Sequence, residues 1–294
     1  MENISNIKVI AQKEFTDHLK SPVFLSFTAT FTLVVLAYSY VLGTEVEYTL
    51  NVLGSPDLMR GFEGVAEVVG RFAPIIGIVL GFDAIVKEIK SSSMNVLLTH
   101  PVFRDNIILG KILGSSSCIL LVLFFSINLA TGVMLIASGI PVTMQQITRI
   151  EIFIFLTFFY ALIFLAISIM ISTISKRSNN SLLFNLIFWL VITVLFTNLI
   201  FTVSYAFSED LHTANDQTQL LKNFLPDYHF TTTAVGIKNT DTGLTSEIGG
   251  IFDTHYTLGA WAGEFWPDMA YLFVLPFILL IGSVLAFLKK DITY

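Results

Sequence analysis

The chain has 294 residues, of which 54% are hydrophobic and 13% are charged, and its mean hydropathy is +0.76. Soluble domains usually carry about 25% charged residues, so this composition predicts an integral membrane protein. The formal net charge of −6 argues against a nucleic-acid partner. Membrane spans and one large loop use up the length and leave no room for a catalytic domain of about 100 residues or more, so we expect no enzyme here.

The first 44 residues predict a surface helix followed by a membrane span. Residues 5–20 place their apolar side chains on one helical face, which is typical of an amphipathic helix at the membrane interface. Pro22 marks the turn into the membrane. The uncharged stretch that follows is long enough to cross a hydrocarbon core of ~30 Å, so we expect the first span at residues 22–42.

The second span, predicted at residues 62–86, carries charges in its first half. Glu63, Glu67 and Arg71 recur every four residues, so they share one helical face, and Glu67 can pair with Arg71. Two interpretations are open. Either this half protrudes above the bilayer and the charges are solvated, or Glu67 and Arg71 line the outer vestibule of a transport pathway.

Residues 87–111 form a charged loop between the second and third spans. Within it, residues 94–98 predict a short amphipathic helix, which Pro101 must end because proline has no amide hydrogen. A short helix across the ends of two spans suits a device that receives force from a soluble partner. The alternative is an ordinary basic loop on the cytoplasmic side.

Long apolar segments predict the third, fourth and fifth spans. The third span, at residues 112–137, ends before the Gly-Ile-Pro sequence at 139–141. The fourth and fifth spans, at residues 152–175 and 181–207, are joined by a short basic connection, so they are antiparallel neighbours. Asn185 lies within the fifth span and needs a hydrogen-bond partner there, so we expect it to face another helix rather than lipid.

Residues 208–268 make up a polar, acidic region that holds two Asp-x-His sequences. Asp227 and His229 form the first, and Asp253 and His255 form the second. Imidazole and carboxylate groups bind zinc or copper, so these four side chains are candidate metal ligands. The alternative is that they are solvated surface residues at a common spacing. The second half of the region follows no pattern that predicts a structure.

The sixth span is predicted at residues 269–288, with Pro276 kinking or interrupting its helix. Trp261 and Trp266 precede it as interfacial anchors. The predicted fold is therefore an all-α integral membrane protein with six transmembrane helices. An N-terminal interfacial amphipathic helix precedes them, and a short helix, the candidate for a cytoplasmic coupling helix, lies between spans two and three.

The distribution of basic residues predicts the orientation in the membrane. Eleven of the 16 Lys and Arg residues fall on the side that carries both chain ends and the loop at 87–111. The positive-inside rule places this side in the cytoplasm, so the region at 208–268 is extracellular. We therefore expect a multi-pass protein of the cell membrane with cytoplasmic termini.

The loop at 87–111 also resembles a family. It is similar to the loop after the second span in ABC-transporter permeases of the type-2 exporter group, especially those related to the nitrous-oxide-reductase maturation permease. The pattern is carried by Glu88, Ser92-Ser93, Met94 to Leu98, Pro101, Arg104 and Gly110-Lys111. The departure is Ser92-Ser93, where Gly-Thr is usual. Lys13-Glu14-Phe15 before the first span and the segment 287–292 after the last are weaker similarities.

The resemblance implies a permease subunit of an exporter that contains no cofactor itself. Two copies, as a homodimer, would each dock a separate ATPase subunit that binds ATP and Mg. The coupling residues implied by it are Glu88, Lys90, Ser91, Ser92, Ser93, Met94, Pro101 and Arg104. The pathway would lie between the two copies along spans one, two and five, with Glu67, Arg71 and Asn185 as candidate lining residues.

Two other classes of function remain open. The first is a membrane-anchored assembly or receptor protein, in which residues 208–268 bind an extracellular partner and nothing is transported. The second is an ion-coupled secondary transporter. That class would require ionisable residues at mid-depth and related halves, and the sequence contains no internal repeat.

Overall fold

The computed structural model describes residues 2–53, 58–87, 104–208, 211–239 and 246–290. Within these ranges almost all of the chain is helical, with one π-helical segment and one short antiparallel hairpin. In chain order the elements are α1 (Glu2–Lys20), α2 (Pro22–Leu53), α3 (Leu58–Gly81), α4 (Arg104–Ser138), α5 (Met144–Ile174), α6 (Ser178–Leu190), the π-helical segment (Val191–Phe196), α7 (Thr197–Phe207), α8 (Leu211–Lys222), α9 (Pro226–Ala234), β1 (Gly236–Asn239), β2 (Ser246–Gly249) and α10 (Leu258–Lys289).

Six helical segments in the described residues are long and apolar enough to cross a membrane. They are Pro22–Tyr48, Leu58–Gly81, Arg104–Ser138, Met144–Ile174, Ser178–Ser204 and Leu258–Lys289. The all-α membrane class and the number of spans are therefore confirmed. The fifth span is formed by α6, the π-helical segment and the start of α7, and the sixth is α10, which Pro276 does not interrupt.

The second and fourth spans, α3 and α5, form the centre of the bundle. In their most apolar stretches 67% of α3 and 72% of α5 is buried, against 17% of α2 and 6% of the fifth span. Gly77 and Gly81 allow the two helices to touch. A methyl group on Gly77 would overlap the backbone oxygen of Ala161, and one on Gly81 would lie 2.7 Å from Ser168 Cβ. The backbones are thus in direct contact, as the spacing of small residues predicts.

The amphipathic helix α1 packs against the first turns of α4. A methyl group on Gly110 would lie 2.6 Å from Ile10, and one on Gly114 would lie 2.7 Å from the backbone oxygen of Ala11. The Sγ atom of Cys118 continues this face at 3.8 Å from the backbone oxygen of Phe15. The small residues at 110, 114 and 118 therefore form the face that receives α1.

Several helices extend beyond their predicted spans. α4 includes residues 104–111 of the predicted loop, where α1 covers it at Gly110. α5 begins at Met144, where Thr143 and Gln146 form a capping box. α10 begins at Leu258, where the Thr257 hydroxyl accepts a hydrogen bond from the Ala260 amide at 3.2 Å. An uncharged stretch therefore predicts which residues cross the membrane, whereas packing contacts and capping residues determine how far each helix extends beyond them.

The region between the fifth and sixth spans folds onto the bundle. The buried guanidinium of Arg149, at the start of α5, donates to the backbone oxygens of Ile251, Asp253 and Tyr256. Trp261 was expected at the membrane interface, but it is buried. Its indole N–H donates to the backbone oxygen of Thr233 at 3.1 Å.

We predict that Gly77→Ala destabilises the protein, because the added methyl group overlaps the backbone of α5. The loss in unfolding free energy should be about 1–3 kcal/mol, the usual cost of overpacking. Thermal unfolding in detergent measures it. Gly132→Ala in α4 is the matched control, because a methyl group there meets nothing within 4 Å. Equal stability of the two variants would show that the contact between α3 and α5 is not tight.

Candidate functional site

A cavity of about 650 Å³ lies beside α3, where α5, the fifth span and α9 also contribute walls. We call it the Asp227 cavity. The lining side chains that bear on its chemistry are Glu67, Arg71, Tyr160, Trp189, Asp227 and Phe230. Its size lies in the range of small-molecule pockets, roughly 300–1,000 Å³.

Phe230 of α9 forms the inner wall of the Asp227 cavity. Its ring stacks on Tyr160 of α5 with centroids 4.6 Å apart and an interplanar angle of 13°. Gly70 of α3 permits this position, since a methyl group there would lie 2.6 Å from the Phe230 ring. Phe230 is 1% exposed. The polar sequence of α9 is therefore anchored between two spans by one aromatic side chain.

Two carboxylates and one guanidinium line the cavity. Glu67 and Arg71 form an i,i+4 ion pair of 3.9 Å and are exposed, with 47% and 76% of their side-chain surface accessible. Asp227 is more enclosed and accepts a hydrogen bond from the Tyr160 hydroxyl at 3.2 Å. Burial raises the pKa of Asp227, and the hydrogen bond from Tyr160 opposes that rise only in part. A cation placed in the cavity would favour the ionised carboxylate.

The opposite wall comes from the fifth span, where Trp189, Thr193 and Val194 line the cavity. Thr193 and Val194 belong to the π-helical segment. Segments of this kind are rare and occur frequently at functional sites. The fifth span is little buried along its length, so this wall is the least constrained part of the cavity.

The structure brings together two of the three predicted pathway residues. Glu67 and Arg71 both line the Asp227 cavity, and both side chains are also exposed, so their role in a pathway stays a prediction from the sequence. Asn185 is buried elsewhere, and its side-chain amide donates to the backbone oxygen of Ser181 at 2.8 Å. Tyr160 was missed because it lies in an apolar stretch with no local pattern to single it out.

The four candidate metal ligands occupy separate places. Asp227 turns toward Tyr160, whereas the Nδ1 atom of His229 lies 2.6 Å from Asp268 and its Nε2 atom lies 2.8 Å from the backbone oxygen of Asn223. Because a backbone carbonyl oxygen can only accept, Nε2 of His229 is the donor to Asn223.

The second Asp-x-His sequence forms a local pair. The Nδ1 atom of the exposed His255 lies 2.9 Å from an oxygen of Asp253. Across the ranges that the structure describes, no three His, Cys, Asp or Glu side chains converge as metal ligands would. The metal site stays a prediction from the sequence.

A second charged site lies where α1 meets α4. Lys111 Nζ lies 2.8 Å from Glu14 Oε2, and both side chains are almost fully buried, with 4% and 12% accessible. His18 Nε2 lies 3.4 Å from the other oxygen of Glu14 and 3.1 Å from the Ser115 hydroxyl. Burial raises the pKa of Glu14. The hydrogen bond from His18 and the charge of Lys111 outweigh that effect and lower the pKa from 4.5 to about 2.

Most of the predicted coupling residues lie outside the described part of the chain: Glu88, Lys90, Ser91, Ser92, Ser93, Met94 and Pro101. The segments on either side of them are described. The Ser172 hydroxyl, near the end of α5, accepts hydrogen bonds from the amides of Ile85 and Val86 at 3.1 and 3.2 Å. The chain that leaves α3 is therefore held by α5.

Arg104, the one predicted coupling residue that the structure describes, fixes the start of α4. Its guanidinium donates to the backbone oxygen of Lys290 at 3.1 Å and lies 5.6 Å from the ring centroid of Phe287. The Nζ atom of Lys290 in turn donates to the backbone oxygen of Thr173. Both ends of the predicted coupling loop are thus fastened at the same end of α5.

Six long apolar helices with a charged cluster at one end and a cavity at the other define a multi-pass helical membrane protein. The family model described as ABC-2 family transporter protein matches residues 8–292. The chain therefore belongs to the ABC-2 family of transporter proteins, and the resemblance seen in the sequence is confirmed.

Two curated proteins are similar to part of the chain. One is named "Probable ABC transporter permease protein NosY" in Stutzerimonas stutzeri and is 26% identical over 136 residues, which are 46% of this chain and 48% of that protein. The other carries the same name in Pseudomonas aeruginosa and is 26% identical over 132 residues, 45% of this chain and 46% of that protein. The chain spans about half the length of the curated relatives it matches.

We predict that Lys111→Met lowers the unfolding free energy by about 3–5 kcal/mol, because it leaves the Glu14 carboxylate buried without its ammonium partner. The double variant Glu14→Gln with Lys111→Met should recover much of this loss. Thermal or denaturant unfolding of all four proteins in the cycle measures the coupling. Lys8→Met, at an exposed position of α1, is the control and should change stability by under about 0.5 kcal/mol.

The same ion pair predicts a pH dependence. Folding lowers the pKa of Glu14 from 4.5 to about 2, so its contribution to stability is complete above pH 4.5 and is lost as the pH falls toward 2. The stability difference between wild type and Glu14→Gln should therefore be constant at neutral pH and narrow below pH 4.5. If the stability difference between the two proteins instead narrows between pH 7 and 5, a group other than Glu14 causes the pH dependence.

Proposed function

We propose that this chain is the membrane permease subunit of an ATP-driven exporter whose ATPase is a separate subunit. The match to the ABC-2 transporter family over residues 8–292 carries the proposal. The two similar proteins are named as probable ABC transporter permeases, and these names support it. The chain itself catalyses no hydrolysis on this proposal, and ATP and Mg bind to the partner.

The anchoring of the coupling loop supports a mechanical role for residues 88–103. One end of this segment follows Val86, whose amide bonds to Ser172 of α5, and the other end precedes Arg104, which binds the end of α10. A force applied to the loop by an ATPase therefore acts on α5, and through the close backbone contact at Gly77 it acts on α3 as well. Helix α1 receives the same movement at α4 through Glu14 and Lys111.

Two copies of the permease, each with one ATPase, form the exporter on this proposal. The first and fifth spans are the least buried, at 17% and 6% of their most apolar stretches, so they offer the largest uncovered faces to a second copy. The Asp227 cavity, with Glu67 and Arg71 at its rim, borders the fifth span and forms part of the substrate pathway. Both termini and the coupling loop face the cytoplasm, in line with the basic residues there.

Co-purification with the nearest encoded ABC ATPase tests the proposal. We expect a stable complex whose ATP hydrolysis depends on the permease. Glu88→Lys should reduce that dependent hydrolysis several-fold while leaving the permease folded, because it reverses a charge in the coupling loop. Glu264→Lys reverses an exposed acid near the start of α10 and is the matched control.

The outcomes separate the classes of function. Absence of a complex would overturn the permease proposal and favour an anchored assembly protein that uses residues 208–268. A complex whose hydrolysis is equally affected by Glu88→Lys and Glu264→Lys would remove residue 88 from the coupling role. Hydrolysis by the purified permease alone would overturn the separation of the two activities.

A further inference from the structure

The Asp227 carboxylate retains unused hydrogen-bonding capacity inside the cavity. An ionised carboxylate has about four acceptor positions. Among the described residues, only the Tyr160 hydroxyl donates to Asp227, at 3.2 Å. Arg71 and Lys222 influence Asp227 through space, but neither forms an ion pair with it within 4.0 Å. In the part of the chain that the structure describes, this carboxylate therefore has no ion-pair partner within 4.0 Å.

The side chains that line the Asp227 cavity include more acidic than basic groups. Arg71 is paired with Glu67 at 3.9 Å, so these two side chains offset each other at the rim. The described wall thus carries two carboxylates and one guanidinium, which leaves it with a net negative charge when Asp227 is ionised. A ligand that binds beside it gains most free energy if it brings a positive charge, since an unpaired charge in a poorly solvated site is costly.

The rest of the wall suits an apolar body. Phe72 and Ile75 of α3, Trp189 and Val194 of the fifth span, and Phe230 of α9 all line the cavity. Aromatic faces attract cations as well as hydrocarbon, so the same surface accepts the carbon atoms next to a charged head. The volume of about 650 Å³ holds a drug-sized molecule or one hydrocarbon chain with its head.

We propose that the Asp227 cavity binds an amphiphile whose head carries a protonated amine, with the Asp227 carboxylate as the counter-ion of that amine. The hydrocarbon part lies against Trp189, Val194 and Phe230. This inference deepens the proposed function, because it names the chemical class of molecule that the permease takes up. Two sources supply this chemistry: a phospholipid with an ethanolamine head, or a free long-chain amine.

Binding is measured by quenching of tryptophan fluorescence in the purified permease. The probe is dodecylamine brominated at the far end of its chain. Among the three tryptophans, Trp189 lines the cavity, Trp261 is buried against Thr233 and Trp266 is exposed. We expect saturable quenching by the amine and much weaker quenching by the brominated alcohol and carboxylate of equal length. Trp189→Phe should remove the saturable part of the signal.

Asp227→Asn is the decisive variant, because an amide keeps an oxygen for the Tyr160 hydroxyl but carries no charge. Amine affinity should fall roughly tenfold or more, as expected for loss of one partner of a desolvated charge pair. Glu264→Gln removes an exposed acid away from the cavity and should leave affinity unchanged. If Asp227→Asn does not fold, Val194→Phe provides the second test. It fills the cavity from an exposed position on the π-helical segment and should weaken the amine by a similar factor.

Native mass spectrometry distinguishes the two sources. Phosphatidylethanolamine retained by the wild type and Glu264→Gln but lost from Asp227→Asn would identify the membrane lipid, whereas binding of the added amine alone would identify a free amphiphile. Either result supports the inference. Equal quenching by amine, alcohol and carboxylate, or unchanged amine affinity in both Asp227→Asn and Val194→Phe, would overturn it.

The two proposals fail separately. If ATP hydrolysis depends on the permease but the permease binds amine, alcohol and carboxylate equally, only the assignment of the ligand is overturned. Selective amine binding by a permease that forms no complex with an ATPase would overturn only the transport proposal.

Discussion

The direct backbone contact between α3 and α5 is the constraint on which the rest of the bundle depends. Gly77 and Gly81 remove the side chains that would hold the two helices apart, and the Ser168 hydroxyl donates to the backbone oxygen of Ile78 at 3.2 Å across the same contact. Helices in a membrane gain little from apolar burial alone, so close packing and such hydrogen bonds supply the association. The other spans pack around this pair and are themselves less buried.

The pair of α3 and α5 also connects the segments that flank residues 88–103 with the Asp227 cavity. At one end, α5 holds the segment after α3 through Ser172 and binds Lys290 through Thr173. At the other end, α3 supplies Glu67 and Arg71 to the Asp227 cavity, and α5 supplies Tyr160. Packed helices transmit displacement rather than absorb it, so on the proposed function a shift imposed at the coupling loop would reach the cavity wall through α3 and α5 alone.

The sequence alone predicts the elements that depend on local composition. Six spans follow from apolar length. Residues 72–82 are too short to cross the membrane alone, so α3 is predicted by extending the helix backward through Glu63, Glu67 and Arg71, which then share one face. Helices α5 and α10 are longer than their predicted spans. They begin at caps formed by Thr143 and Thr257, which lie before the apolar stretches and which hydropathy does not detect. Helix α9 is Thr-rich and polar, so its insertion beside α5 through Phe230 had no signal.

The contacts that create both charged sites join residues far apart in the chain. Glu14 and Lys111 are separated by 97 residues, and Tyr160 and Asp227 by 67. A single sequence marks Glu14, Lys111 and Asp227 only as individual charges in different segments, and the pairing arises from how the helices pack. The similarity to exporter permeases singled out Glu14 and Lys111 but gave no reason for either, and the buried ion pair between them supplies one.

The composition of the cavity wall suggests how its volume changes. Two of its walls, α3 and α5, are the most buried spans, whereas the wall from the fifth span is the least buried and contains the π-helical segment. An element with few packing contacts moves at low free-energy cost. The fifth span, which supplies Trp189 and Val194, is therefore the wall of the Asp227 cavity that moves most easily, whereas the tight contact between α3 and α5 keeps the other two walls in place.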